Sequence, residues 1–281
     1  MKILSFGEIL FDINGDSACI GGAPFNFAAH AVRAGAEVSL LSSVGNDNLG
    51  KMALQCIKDY GVSADYVTVS NDFQTGHCNV TLSQDGIPCY DLVEDVAYDH
   101  IPVPNLKNKD FDVLYFGTLA LRGGENIQTI KNIIEQNNFE EIFVDINIRP
   151  PHFSKETVCF ALENATIIKI SSEEIPPVGN LFFENWDSTF KTLNFIRDQY
   201  KNIRLLILTC GENGAVAYDN ITGRVYRCDA VKTEVVSTVG AGDSFSATFL
   251  VNYLSGENIK NSLKKAAEVS AFVVAHEGAI P

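Results

Sequence analysis

The sequence predicts an α/β protein: a largely parallel sheet covered by helices, with a small β appendage. Three observations lead there. Short apolar runs alternate with helical segments through both halves of the chain, the order expected of βαβ units. The alternation lapses between about residues 66 and 93, where two β-type runs surround Gln84-Asp85-Gly86 with no helix between them, a hairpin signature. Near the end of the chain, Ser237-Thr238-Val239-Gly240-Ala241-Gly242-Asp243 runs directly into a helical segment.

Residues 2–6 predict a buried strand ended by Gly7-Glu8, and 9–13 continue extended toward Asn14-Gly15-Asp16. Gly21-Gly22-Ala23-Pro24 leads into a small-residue helix over 25–33, stopped at Gly35. A strand over 38–44 and a helix over 47–60 follow, the helix ending at Gly61. The β-type runs 75–83 and 87–93 form the appendage, which reads as a lid joined by the extended 9–20 segment. Strands are expected at 112–116, 141–146, 165–170 and 204–209, with helices at 125–137, 187–200 and 259–275. A glycine-flanked turn at 211–214 enters a short strand. The helix after Asp243 keeps Phe245, Phe249 and Tyr253 at helical spacing with Leu250 and Leu254 nearby, which reads as amphipathic.

An apolar fraction of 46% with 20% charged residues is ordinary for a globular enzyme. A length of 281 residues suits one large α/β domain with an appendage. The formal charge of −14 argues against nucleic acid and anionic membranes as partners, since both need basic patches. A polyanionic ligand would need local attraction from backbone donors, a metal ion and a few basic side chains. The seven cysteines are scattered without a C-x-x-C, so neither a disulfide framework nor a zinc site is expected and a reducing cytosol is the natural setting. No apolar run approaches a membrane span. The N-terminal run meets Glu8 and Asp12 too early for a signal peptide, and a cytoplasmic location is expected. An open apolar lid face would be covered by a second copy, so a homodimer through the lid is expected.

The chemistry gathers around three stretches. The helix start after Gly240 offers unpaired N–H groups and the positive end of the macrodipole, a natural seat for phosphate. Asp243 would repel a resting phosphate, so an acceptor for a substrate proton is one reading of it; an N-cap aspartate after a glycine turn is the other. No G-x-x-x-x-G-K-[ST] occurs, and Phe245 stands where a G-x-G-x-x-G would need its third glycine. Walker and dinucleotide sites are therefore excluded. Asp12, Gly21, Gly22 and Asn26 read together as a hydroxyl-binding set, with a strand-end turn for Asp12 and a solvated helix face for Asn26 as the alternatives. Asn147 and Arg149 fall at the carboxyl end of a strand, where ligands of such sheets gather. Arg149 is either a phosphate or substrate contact or a surface arginine.

Read together, these motifs make the chain resemble the ribokinase-like (phosphofructokinase-B) family of carbohydrate kinases, and within it the bacterial fructokinases. The resemblance spans nearly the whole chain. Its carriers are Gly7-Glu8-Ile9-Leu10-Phe11-Asp12, Gly21-Gly22-Ala23-Pro24-Phe25-Asn26, Phe116-Gly117-Thr118-Leu119-Ala120-Leu121-Arg122, residues 145–150, residues 209–214 and the T-x-G-A-G-D of 238–243. It implies a single-domain, ribokinase-like three-layer α/β/α sandwich over 1–281. The central sheet would be mostly parallel, with a β lid contributed by about 9–22 and 73–100. It implies transfer of the γ-phosphoryl of Mg-ATP to the hydroxyl of a small sugar, fructose giving fructose 6-phosphate. Asp243 would be the base, and the backbone of Gly240, Ala241 and Gly242 the anion hole. Asp12, Gly21, Gly22, Asn26 and Arg149 match the substrate side. Lys169, Thr209, Gly211, Gly214 and Thr238 match the nucleotide side, and Glu174 the glutamate that organises magnesium.

Two departures stand out. The family usually has aspartate where this chain has Ser237, beside a monovalent cation; serine keeps an oxygen without the charge and puts potassium activation in question. The family's N-x-x-E asparagine is Ser171 here, a variant that fructokinases share (compare Lys169, Ser171 and Glu174). Alternatives within the family are 2-keto-3-deoxygluconate kinase and ribokinase. A nucleoside kinase is disfavoured, since the lid carries few aromatics beyond Phe73, Tyr90 and Tyr98. Outside the enzyme class, Ser237 alone supports a catalytically weak sugar-binding regulatory protein.

Overall fold

In the computed structural model, which describes residues 1–15, 17–82, 88–106 and 110–281, the chain builds two sheets. The larger has nine strands among the described residues. Strand β1 (Lys2–Phe6) pairs in parallel with β4 (Glu37–Gly45) on one side and β8 (Val113–Gly117) on the other. Beyond β4 comes β5 (Ser63–Ser70). Beyond β8 come β9 (Glu141–Asp145), β10 (Ile167–Ser171) and β11 (Leu205–Thr209), all parallel. Two antiparallel strands, β12 (Ala215–Asp219) and β13 (Val225–Cys228), finish that edge. Chain order runs outward in both directions from β1, so the sheet reverses there. A crevice at the carboxyl ends of the strands is the consequence.

Side-chain alternation along the parallel strands sends successive residues to opposite helical layers. On β8, Val113 and Tyr115 face one core, with Phe25 and Phe27 of α1 (Ala23–Arg33), Ala53 of α2 (Asn48–Asp59), Phe249 of α7 (Ala241–Leu254) and Leu263 of α8 (Ile259–Val274). Leu114 and Phe116 face the other core. It is shared with α3 (Glu125–Gln136), α4 (Lys155–Asn164), α5 (Ile175–Phe182) and α6 (Thr189–Gln199). The covered, mostly parallel sheet is the expected one. Helix α7 is not the amphipathic helix expected: every residue from Asp243 to Val251 is buried, because α1 and α8 flank it and the sheet lies beneath.

The smaller sheet has the order β3-β2-β6-β7. Strand β2 (Leu10–Asn14) pairs antiparallel with β3 (Ser17–Gly21) and in parallel with β6 (Gly76–Leu82), which pairs antiparallel with β7 (Pro88–Leu92). Both expected runs are strands of the lid; the Gln84-Asp85-Gly86 turn and the Tyr90 side chain lie outside the described residues. The other two lid aromatics are already engaged. Phe73 stacks on His100 at 3.7 Å, and Tyr98 is wholly buried with its ring against Gly76. The lid's root is pinned by Asp47, whose Oδ1 accepts from the Gly50 amide at 2.7 Å and the Thr75 hydroxyl at 2.7 Å, and whose Oδ2 accepts from the Thr75 amide at 2.8 Å.

Phe27 lies face to face with Tyr115, ring centroids 3.6 Å apart, in the contact that seats α1 on the sheet. Phe27→Ala should therefore lower stability by about 3–5 kcal/mol, the usual effect of emptying a buried aromatic site. Denaturant unfolding measures it, and a loss below about 1 kcal/mol would contradict this account of how α1 is held.

Candidate active site

Helix α7 begins at the crevice. Gly240 is its N-cap, at a φ of 77°, and a Cβ there would lie 2.5 Å from the Ala279 carbonyl oxygen. Only glycine combines that conformation with that approach. The amides that open the helix have no acceptor within it; that of Ala241 reaches back to Thr238 O at 3.3 Å. Asp243 sits in the first turn, 8% exposed. One of its oxygens accepts from Asn26 Nδ2 at 2.8 Å, so the base candidate and the hydroxyl-binding candidate, 217 residues apart, meet directly. Burial raises the Asp243 carboxyl to about 6, against the pull of the Asn26 hydrogen bond.

Asn26 is 4% exposed, and its Oδ1 has no partner among the described residues. It is not on a solvated helix face. Gly22 caps α1 at a φ of 108°, and a Cβ there would strike the Glu8 carbonyl oxygen at 2.4 Å. Gly21 ends β3. Asp12 lies mid-lid, opposite Cys19 and Cys78, half-buried, with its carboxyl raised by burial and lowered by Arg149. Arg149 is exposed, and while its carbonyl accepts from the His152 amide at 2.6 Å, its guanidinium makes no ion pair or hydrogen bond among the described residues. Its charge acts on Asp12, Glu8 and Asp243, so it faces the space between the lid and α7. Asn147, at a φ of 40°, turns the chain from β9 toward it.

On the other side of Asp243 lies a buried ion pair. Lys169 Nζ donates to both oxygens of Asp145 at 2.9 Å, and Ser246 of α7 donates to Asp145 Oδ2 at 3.1 Å. A Cβ on Gly242 would stand 3.1 Å from Lys169 Nζ, which places the ammonium against the first turn of α7. Burial works to discharge Lys169, but Asp145 and Glu174 hold its pKa above the ordinary value. Glu174 is raised by burial. Its oxygens accept from the amides of Ile148 at 2.8 Å and Ser171 at 2.6 Å.

Thr209 ends β11, two strands from β9, and Gly211 and Gly214 follow it; no bond links them to the Asp243 cluster among the described residues. The Thr209 carbonyl accepts from Ser172 at 2.8 Å, and Gly214 closes the turn onto Gly211. Thr238 is exposed, and Ser237 Oγ accepts from the Val239 amide at 3.2 Å. The crevice thus has a polar, lid-covered end at β1 and a more open end at β10 and β11. Val235, Val236 and Val239 stand exposed beside the helix start, an apolar surface that sequence reading passed over.

Residues 6–281 match the model of the pfkB family carbohydrate kinases. The chain belongs to that family. This kinase is 27% identical over 299 residues to an ATP-dependent 6-phosphofructokinase of Thermoanaerobacterium thermosaccharolyticum, covering 99% of this chain and 89% of that protein. It is 28% identical over 311 residues to probable fructokinase-5 of Arabidopsis thaliana, at 99% and 93% coverage. In structure it is similar to an uncharacterized sugar kinase from Pyrococcus horikoshii, with a TM-score of 0.81, 25% identity and coverage of 100% and 94%. It also shares its fold with a Vibrio cholerae fructokinase in a fructose-, ADP- and calcium-bound form, with a TM-score of 0.83, 20% identity and coverage of 99% and 94%.

Among the described residues, no group of three or more His, Cys, Asp or Glu side chains is arranged to hold a metal unaided. Magnesium is ordinarily held by one or two carboxylates together with substrate phosphates and water, and the carboxylates of Asp145 and Glu174 flank Lys169 at the crevice. No helix among the described residues is long and apolar enough to cross a membrane. Glu8, Asp145 and Ser246 are the polar residues that carried no role in the sequence. The signal for Asp145 was there, an aspartate closing an apolar strand; the structure pairs it in register with Lys169.

With Asp243 as the base, its raised carboxyl would set the pH dependence. A base must be ionised, so kcat/KM should be half-maximal at about pH 6, level off about one unit higher, and fall tenfold per pH unit below, rather than below the ordinary carboxylate value near 4. A pH–rate profile measures this. An acid limb at pH 4 would mean that the buried carboxyl is not the base.

Proposed function

We propose that this carbohydrate kinase transfers the γ-phosphoryl group of ATP to a hydroxyl of fructose, giving fructose 6-phosphate and ADP. One observation carries the mechanism: a buried carboxyl with a pKa of about 6, bonded by Asn26, stands in the first turn of α7 beside that helix's opening amides. Asp243 takes the hydroxyl proton as the sugar oxygen bonds to the γ-phosphorus, and the bond from that phosphorus to the β-bridging oxygen breaks. The pair in that bond leaves on ADP. The residue 240–242 backbone receives the charge on the transferring group, and Lys169 beneath Gly242 balances it. Phosphoryl transfer relies mainly on such positioning and charge stabilisation.

Asp12, the Gly21-Gly22 backbone and the unpaired Asn26 Oδ1 would accept or direct sugar hydroxyls, and Arg149 would close on the substrate or its phosphate. Thr209, Gly211, Gly214 and Thr238 line the nucleotide end, where exposed Val235, Val236 and Val239 offer an apolar surface to a base. Magnesium bound with ATP supplies charge neutralisation at the phosphates, and Glu174 is the carboxylate placed to support it indirectly. Ser237 would offer a neutral oxygen to a monovalent cation, so potassium should change the rate by less than about twofold, since a neutral oxygen holds a cation more weakly than a carboxylate does. Lid closure over the sugar would exclude water and suppress ATP hydrolysis. A second copy would pair through the lid, giving a homodimer in the cytoplasm.

A second reading has an observation of its own. The Arg149 guanidinium, without a partner among the described residues, faces the acceptor space, and one relative is named as a 6-phosphofructokinase. Another, from Listeria innocua, is named as a 5-dehydro-2-deoxygluconokinase. A phosphorylated or acidic sugar would suit Arg149 better than a neutral one.

ADP release from Mg-ATP should be measured with fructose, fructose 6-phosphate, 5-dehydro-2-deoxygluconate, 2-keto-3-deoxygluconate, ribose and adenosine, with and without potassium. Fructose should give the highest kcat/KM, and Asp243→Asn should lower it by at least about 10³-fold, within the range lost with a general base. Faster turnover of a phosphorylated or acidic sugar would transfer the assignment to the second reading. Silence with every acceptor would sink the kinase mechanism and favour a sugar-binding regulatory protein. Light scattering tests the dimer, and a mass of one chain would contradict it.

A further inference from the structure

Helix α1 reaches the active site at its first turns and, through the 279–281 segment, is linked to it at its last turn as well. Its first turns carry Gly22 and Asn26. Its last turn faces the chain's final residues, and there two side chains hold three consecutive carbonyls. His30 Nε2 lies 2.8 Å from Ala279 O. Arg33 donates to Pro281 O at 2.6 Å and to Ile280 O at 3.4 Å. Tyr60, just beyond α2, adds a longer contact to Ile280 O at 3.5 Å.

His30 is 4% exposed on a helix otherwise buried through alanine, phenylalanine and asparagine. A buried polar ring needs a partner, and Ala279 O is the one it has. A carbonyl can only accept, so Nε2 carries the proton. The same carbonyl is the atom nearest the vacant Cβ position of Gly240, at 2.5 Å, with the Ala279 Cβ at 2.8 Å. Gly240 in turn opens α7, and its own carbonyl accepts from Ser244 at 2.9 Å. The ring of His30 is therefore one hydrogen bond and one van der Waals contact away from the backbone that begins the anion hole.

We propose that His30 is a positioning residue for the phosphoryl cradle: through the Ala279 carbonyl it holds the 279–281 segment against Gly240. A single helix then aligns both halves of the chemistry, the base through Asn26 and the cradle through His30. Neither contact requires His30 or Arg33 to touch sugar or nucleotide. The role rests on reading residues 240–242 as the cradle.

The test compares His30→Ala with His30→Gln in the full chain, because a glutamine amide can place an N–H near the position of Nε2. Hydrogen exchange of the peptide spanning 236–245 is read in the free protein, and kinetics are read with the best acceptor found. In His30→Ala, exchange in that peptide should rise and kcat should fall by about tenfold or more, with the acceptor KM within about twofold, since small misplacements of catalytic groups act on the transition state. His30→Gln should recover most of both. Unchanged exchange in a folded His30→Ala protein, or a glutamine variant as impaired as the alanine one, would overturn the proposal. If His30→Ala fails to fold, Arg33→Ala, which releases Ile280 and Pro281 from an exposed side chain, should raise exchange in the same peptide; no rise there would also overturn it. Absence of turnover in the unaltered protein would count against the kinase mechanism alone, because the exchange measurement needs no activity.

Discussion

A carboxylate taken out of water is strongly disfavoured unless charge and hydrogen bonds meet it inside, and the architecture around Asp243 is a response to that constraint. The helix start supplies amides and a favourable dipole end. Asn26 supplies a hydrogen bond from α1, and Lys169 and Arg149 supply positive charge from β10 and the segment after β9. Asp145 works in the opposite direction on Asp243, yet it is what keeps the Lys169 ammonium charged so deep in the fold. The result is a carboxylate that is ionised at neutral pH yet close enough to its pKa to accept a proton, as the proposed base must. Each compensating group comes from a different element, so the carboxylate is tuned only when the layers are correctly stacked.

The topology explains why those elements converge. The sheet reverses at β1, and every parallel strand beyond it delivers its carboxyl end to one rim. Glu8 leaves β1, Asp145 ends β9, Lys169 lies within β10 and Thr209 ends β11. The lid sheet grows from the same rim and brings Asp12 over it. Glu8 shows how tightly this corner is closed: its Oε1 accepts from the Ala23 amide at 3.3 Å, Oε2 is buried without a partner among the described residues, and burial pushes its carboxyl up to about 7. Two acids poised near neutrality beside Arg149, whose guanidinium has no partner among the described residues, are characteristic of functional rather than structural clusters.

Much of this was legible in the chain, and the exceptions have physical causes. Helix α4 went unread because its capping box, in which Ser154 and Thr157 each accept from the other's amide, uses threonine where the sequence signature has Glu or Gln. Helix α5 was hidden by Pro176 and Pro177, which read as breakers but sit in a first turn where no amide is required. Strand β5 has a half-exposed pattern, because it lies at the sheet's edge, and so it merged with the lid. Helix α7 looked amphipathic because its aromatic spacing is regular; the serines and threonine between those residues are buried as well, a matter of neighbours and not of period.

The sequence by itself determined the layered α/β architecture, the separate β lid and the identity of the residues around 240–243, because strand and helix periods, glycine turns and helix starts are local properties. It also carried Asp12, Asn26 and Arg149 as polar residues in unusual places. Only the tertiary structure decided that Asn26 bonds Asp243, that Lys169 is paired with Asp145 beneath Gly242, and that His30 reaches Ala279. These contacts span 24 to 249 residues of chain. Their partners are chosen by how the layers pack, and no local pattern records that choice.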